Sequence, residues 1–326
     1  MKRKHLFNDL LQNVLEERKI TYRSLRTAKW EKEISKRTEK YFEGIYIEDI
    51  DEQRLYRFFT FLKYKENGEI YSDKYIKAVY SLVKAVFRKA VIKHYISVNP
   101  LEYGFKRPKG NVPQARERYL SDDTIKALFN ATKDNMLYDT IVKALLMTGM
   151  RIGELLGLYW TDIDFDNKII HIRREAAIKY SESISGQYHR EGIALFDTKT
   201  LASNRDLPVS EECLDVFRRW IEYRPDIEKL IFVNESGNIY DYAALRKGLT
   251  ELCQKHGIED TVTFHKLRHN YATDLLTAGV DLAVVSQMLG HSNVETTANT
   301  YVKVKMEPMK NAVRLQTRYL KKHKLI

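Results

Sequence analysis

Apolar residues recur at helical spacing through the first hundred positions: Leu6, Leu10, Leu11, Val14 and Leu15, then Leu55, Phe58, Phe59 and Leu62, then Ile76, Val79, Leu82, Val83, Val86, Phe87, Ala90 and Val91. A stripe repeating every three to four residues buries one side of a helix, so this stretch predicts a four-helix bundle of about one hundred residues. The period stops between Pro100 and Pro113, where Gly104-Phe105-Lys106-Arg107-Pro108-Lys109-Gly110 shows no repeat. That break predicts a first domain at 1–106, a linker at 107–117 and a second domain at 118–326. Beyond it the pattern is mixed. Ser121 reads as an N-cap, and Ile141, Leu145, Leu146 and Met147 mark a buried helix. Strand patterns follow at 168–173, 192–196 and 205–209, with a polar turn at 201–204. Glu211 and Glu212 then open a helix that Pro225 closes. The expected fold is mainly α with a small antiparallel β-sheet: a helical domain followed by a mixed α+β domain.

Composition narrows the partners. At 326 residues two domains are expected, and a hydrophobic fraction of 44% excludes wholesale disorder. No run approaches the ~20 apolar residues of a bilayer span, and Met1–His5 does not lead into a signal-like stretch, so no membrane association is expected. Two cysteines, Cys213 and Cys253, without a CxxC pair suit a reducing cytoplasm and argue against structural zinc. The net charge of +11 points to an anionic polymer. It is unevenly placed: residues 1–110 hold 25 basic and 15 acidic side chains, leaving 30 and 29 for the rest. Lys77, Lys84 and Arg88, spaced i, i+7, i+11, share a stripe away from the apolar face of their helix. Such a stripe is either solvated surface or a phosphate contact, since DNA presents a charge every ~1.7 Å. Lys106, Arg107 and Lys109 in the linker read the same way.

Four segments carry candidate chemistry: Thr148-Gly149-Met150-Arg151-Ile152-Gly153-Glu154-Leu155-Leu156, Thr198-Lys199-Thr200, His265-Lys266-Leu267-Arg268-His269, and Leu289-Gly290-His291 with Tyr301 ten residues on. In this order they resemble the tyrosine recombinase family, the phage-type integrases and integrases of conjugative elements. The resemblance covers the whole second domain; the first matches the family's core-binding domains by helical pattern and charge. It implies a core-site DNA-binding domain plus a catalytic domain of the tyrosine recombinase type.

The residue types suit phosphoryl transfer in their own right. Rejoining a phosphodiester without outside energy requires a covalent intermediate, and a tyrosine can form one. With a reference pKa near 10, about one part in a thousand is ionised at pH 7, so a proton acceptor or a strongly positive site is needed. By resemblance Tyr301 attacks the scissile phosphate, forms a 3′-phosphotyrosyl link and releases a 5′-hydroxyl. Arg151 and Arg268 offer planar forks to phosphate oxygens, and Glu154 is a partner for Arg151. Lys199 is a candidate general acid for the leaving oxygen, with an ordinary exposed lysine as the alternative. His265 and His291 exchange a proton with Tyr301 or bond a phosphate oxygen. His265 and His269 stand i, i+4, but no HExxH glutamate or third-ligand cluster accompanies them, so no metal and no cofactor are expected.

The resemblance further implies double-stranded core sites as substrate, a homotetramer on two duplexes with C-terminal tail contacts, and accessory DNA-bending or directionality proteins. In the tail, Met309, Ala312, Val313, Gln316 and Leu320 share one helical face that docks on the chain's own core or on a neighbour. Nothing before Leu6 could supply the arm-binding domain of many phage integrases; either arm sites are not used or the chain is a fragment. Arg174–Arg190 resembles the strand insertions of conjugative-element integrases, or is a flexible loop. The alternative functions are a housekeeping dimer-resolution recombinase, a type IB topoisomerase, a catalytically inactive DNA-binding regulator and a metal-dependent nuclease.

Overall fold

The structure, a computed structural model, describes residues 4–22, 24–102, 104–112, 119–198, 201–291, 293 and 316. It divides into two compact units, one of residues 1–116 with 179–191, the other of 117–178 with 192–326.

The first unit is built on α1 (Phe7–Thr21), α2 (Leu25–Tyr41), α3 (Glu52–Lys63) and α4 (Asp73–Ile92). Their apolar stripes meet in one core, where Phe7, Leu11, Phe58, Phe59, Val79, Val83 and Phe87 are fully buried. Stacking of Phe7 on Phe42, 4.3 Å between centroids, ties the start of α1 to the end of α2. Side-chain caps fix the helix starts: Asp51 accepts from the Arg54 amide and Ser72 from the Tyr75 amide. Polar residues fill part of α2's inner face, where Glu31 is buried and accepts from Arg18 and from the Tyr22 hydroxyl at 2.8 Å.

Residues 105–111 are fixed on this unit. Phe105 is buried against Tyr56, and Asn111 exchanges backbone bonds with Tyr71 and Asp73. Arg107 grips Asp73 with both Nη atoms at 2.8 and 3.0 Å, and the Gly110 amide adds a third bond at 2.9 Å. The Arg107 bonds first, then that amide, hold the Asp73 carboxyl down to about 2.

The second unit packs α5 (Asp122–Thr132), α6 (Met136–Thr148), α7 (Ile152–Leu156), α8 (Glu211–Tyr223), α9 (Tyr242–Lys255), α10 (Phe264–Thr277) and α11 (Leu282–Leu289) beside an antiparallel sheet. The expected cap is present, Ser121 accepting from the Thr124 amide at 3.1 Å. Helix α6 is buried along most of its length, between α8 and α10. Strands β1 (Ile163–Asp164), β2 (Ile169–Ile172) and β5 (Arg205–Pro208) form a three-stranded sheet in the order β1-β2-β5. Alternation sends Ile170 and Ile172 inward from β2 and Arg205 and Leu207 inward from β5, with Ile172 opposite Arg205.

Residues 174–190 are no flexible loop. They supply β3 (Arg174–Glu182) and the start of β4 (Tyr188–Asp197), which pair with each other. Consequently β4 and β5, the strands on either side of 198–204, belong to different sheets. Among the described residues no helix is long and apolar enough to cross a membrane.

Candidate active site

Arg151, Arg268 and His291 come from three separate segments, and two glycine-terminated helices bring them together. Helix α6 ends at Gly149 in the left-handed region, φ 62°, where glycine carries no steric cost. A β-carbon there would lie 2.2 Å from the Tyr271 ring of α10, so only glycine lets the chain pass this close. The turn aims the Gly149 carbonyl at Arg268, whose Nη1 donates to it at 2.7 Å. Helix α11 ends the same way at Gly290, φ 66°, and the Leu289 carbonyl accepts from Arg268 Nη2 at 2.7 Å. The glycines of the TGMR and LGH segments thus end helices whose last carbonyls hold one buried arginine.

Arg268 Nη2 also donates to His291 Nε2 at 3.0 Å. A guanidinium has donors and no acceptor, so Nε2 must present its lone pair, and the proton of the neutral ring sits on Nδ1. Burial, then the charges of Arg268, Arg151, Arg205 and His265, push the imidazole down to about 4. It is neutral at pH 7.

Beneath the arginines lies Glu154, 1% exposed, in the first turn of α7. Its Oε2 accepts the Arg151 amide at 2.8 Å, and its Oε1 accepts Arg151 Nη1 at 2.6 Å. Arg268 Nη1 stands 3.9 Å from Oε2. A further arginine completes the cluster. Arg205, 8% exposed, reaches the two carboxylate oxygens with Nη2 at 3.0 Å and Nη1 at 3.2 Å. Burial opposes ionisation of Glu154, but the Arg205 bond and the charges of Arg205, Arg151 and Arg268 outweigh it and hold its pKa below the usual range. One carboxylate among three guanidiniums leaves surplus positive charge. Arg151, 37% exposed and bonded through Nη2 to the Gly290 carbonyl at 3.3 Å, presents that charge at the surface of the unit. Such a site can bind a phosphodiester and stabilise the charge added when its phosphorus is attacked.

Of the expected catalytic residues, Arg151, Arg268 and His291 meet in this cluster. His265 is exposed, and its ring lies edge-on to His269 at 4.4 Å; its charge is felt at His291. Among the described residues no three metal-ligating side chains gather, around that histidine pair or elsewhere. Lys199 and Tyr301 lie outside the described residues, as does the tail from 308 on except Gln316. Arg205 is the residue that sequence reasoning passed over. The signal was present: in a strand alternating Arg205, Leu207, Val209, an arginine occupies a core position.

The expected DNA-contacting cations all belong to the first unit. Lys77, Arg88, Lys106 and Lys109 are exposed, Lys84 is partly buried, and none forms an ion pair with another described residue. Arg107 differs, because Asp73 already takes its fork.

The sequence profile of the phage integrase family matches residues 118–307, and that of the phage integrase SAM-like domain matches 6–108. A XerC-like tyrosine recombinase of Caldanaerobacter subterraneus is 33% identical over 82% of this chain and 70% of its own length. The transposase of transposon Tn916 from Enterococcus faecalis is 26% identical over 74% of this chain and 60% of its own length. In fold, the chain is similar to the Tn1549 transposon integrase in complex with a circular intermediate DNA. That similarity has a TM-score of 0.72 at 20% identity, covering 94% of this chain and 99% of the other. A lambda integrase dimer bound to a core site gives 0.64 at 14% identity, over 91% and 77%.

Proposed function

This chain belongs to the phage integrase family, and we propose that it cuts and rejoins double-stranded DNA at core sites through Tyr301, moving a mobile element into or out of host DNA. In this reading the Tyr301 oxygen attacks the scissile phosphorus as the bond to the 5′-oxygen breaks. A 3′-phosphotyrosyl link replaces the phosphodiester, and a 5′-hydroxyl leaves. A 5′-hydroxyl of the partner strand then attacks the same phosphorus and frees Tyr301, so the number of phosphate ester bonds is conserved at each step. Arg151 and Arg268 stabilise charge on the nonbridging oxygens, and His291, with its proton on Nδ1, is a neutral donor to one of them. Lys199 protonates the leaving oxygen, and His265 exchanges a proton with Tyr301. Cations of the first unit hold the duplex backbone. The active assembly is a homotetramer on two duplexes with tail contacts, helped by accessory DNA-bending proteins, acting on cellular DNA in the cytoplasm.

The observation that carries this reading is the junction of Arg151, Arg268 and His291 over the buried carboxylate of Glu154, with Arg151 more than one hundred residues from the other two in sequence. A second reading, resolution of replicon dimers, is favoured by the XerC-like relative. Both are tested on nicked suicide substrates made from DNA flanking the source gene. A covalent adduct should form in EDTA with wild type and not with Tyr301→Phe, which should bind the same DNA with unchanged affinity. An adduct with the Phe variant would move the nucleophile elsewhere. Activity confined to the ends of one element supports the mobile-element reading; activity on a chromosomal site alone supports dimer resolution.

A further inference from the structure

Arg205 sits where a strand of this kind puts an aliphatic side chain. Its neighbours on the inward face are Leu207 and, across the sheet, Ile172. A buried ion pair is a weak source of stability compared with apolar packing, so stability alone does not account for an arginine here. Its hydrogen bonds do. Nη1 and Nη2 take the two oxygens of Glu154, and Nε donates to the Met288 carbonyl at 2.7 Å, in the last turn of α11. A β-carbon on Gly290 would lie 2.7 Å from Arg205 Nη1. The side chain therefore packs directly under the turn that delivers His291.

The alternative partners of Glu154 give this arrangement its consequence. Arg268 Nη1 is 3.9 Å from Oε2, so a shift of about 1 Å would bring it to hydrogen-bond distance. Arg151 already bonds Oε1 with one Nη and needs only a rotation to offer the second. Without Arg205 the carboxylate would draw on both, and every bond it took from them would withhold charge from a phosphate. We infer that Arg205 is a positioning residue: it satisfies Glu154 from the sheet side so that Arg151 and Arg268 keep their charge for the phosphate, and it anchors the α11 end that carries His291. The inference depends on the recombinase reading only for the phosphate being that of DNA.

The probe is inorganic phosphate, titrated into the full chain and followed by the His291 imidazole resonances, with thermal melts to verify folding. Arg205→Met should weaken phosphate binding about tenfold or more, the loss expected for a charge-assisted hydrogen bond. Adding Glu154→Gln to it should restore binding to within about threefold, because the competing carboxylate is gone. A merely structural arginine predicts the reverse, a double variant worse than either single one. Arg205→Lys keeps the counter-charge and should stay within about threefold of wild type, a comparison that holds even if the Met variant melts early. Unchanged affinity in Arg205→Met, a double variant no better than it, or a Lys variant as weak as Met would each overturn the assignment. The same proteins go onto the suicide substrate. Wild type without a covalent adduct overturns the recombinase reading and leaves the phosphate comparison to decide Arg205. Equal adduct rates in wild type and Arg205→Met overturn the inference alone.

Discussion

Both units are built on a core of aromatic and aliphatic side chains, and they differ in what they do with charge. The first carries the surplus of the sequence, and its cations lie mostly at the surface, with Glu31 as its buried carboxylate. The second comes from the nearly neutral part of the chain, yet it buries Arg205 and Arg268 with Glu154. Net charge along a sequence therefore misjudges where the electrostatics are strongest. Surface cations act through a screened field and a released counterion atmosphere, whereas a desolvated cluster acts on one phosphate with little screening. The first arrangement suits holding a polymer and the second suits changing a bond.

The largest effects should come from the buried cluster, and the two arginines proposed to hold the phosphate should fail differently. Arg151→Ala removes the exposed fork and should slow single-turnover cleavage by about 10²–10³, with little change in stability. Arg268→Ala should match that loss of rate and also cost about 3–5 kcal/mol, because a buried charge that bonds the ends of α6 and α11 disappears. Urea melts of the two variants separate the cases. Equal stabilities would mean that Arg268 is no part of the scaffold.

Much of this was legible beforehand, and the failures have physical causes. α1, α3 and α4 announce themselves through apolar stripes; α2 does not, because Glu31, Ser35 and Thr38 fill part of its buried face. The β3–β4 pair was ambiguous because it buries neither face: residues 174–182 are almost all intermediate in exposure, so no alternation is written into them. Within the site, the TGMR, HxxR and LGH segments stood out, and the turn glycines explain their spacing. Arg205 went unnoticed because a strand pattern records which positions face inward and not what a polar side chain there will bond.

A smaller effect follows from His291. With its folded pKa near 4 and an ordinary value near 6.5 when unfolded, the unfolded chain takes up this proton first as pH falls. The stability it contributes is complete above pH 6.5 and is lost as pH falls toward 4. Compared with His291→Asn, wild type should lose stability more steeply across that window, by up to one proton's dependence. Added phosphate should raise the midpoint of the His291 resonances by placing an anion beside the ring. Coincident pH profiles for the two proteins would mean that the ring titrates normally and that the arginine charges do not reach it.

The smallest effects belong to the first unit and separate its cations from one another. Each of Lys77, Lys84, Arg88, Lys106 and Lys109 that meets a phosphate should, when changed to alanine, reduce the salt slope of DNA binding by up to ~0.9. Arg107 should not behave like its neighbours at 106 and 109. Its charge is compensated by Asp73, and meeting a phosphate would mean giving up a two-pronged bond, so Arg107→Ala should leave the slope almost unchanged. What it should alter is the attachment of residues 105–111: amide exchange at Gly110 should quicken, because the Asp73 carboxylate that accepts this amide is no longer held in place. Asp73→Asn should quicken the same exchange while leaving Arg107 uncompensated and able to meet a phosphate, so its salt slope should become steeper. A slope reduced by ~0.9 in Arg107→Ala would show that DNA displaces Asp73 and that the six cations form one contact surface.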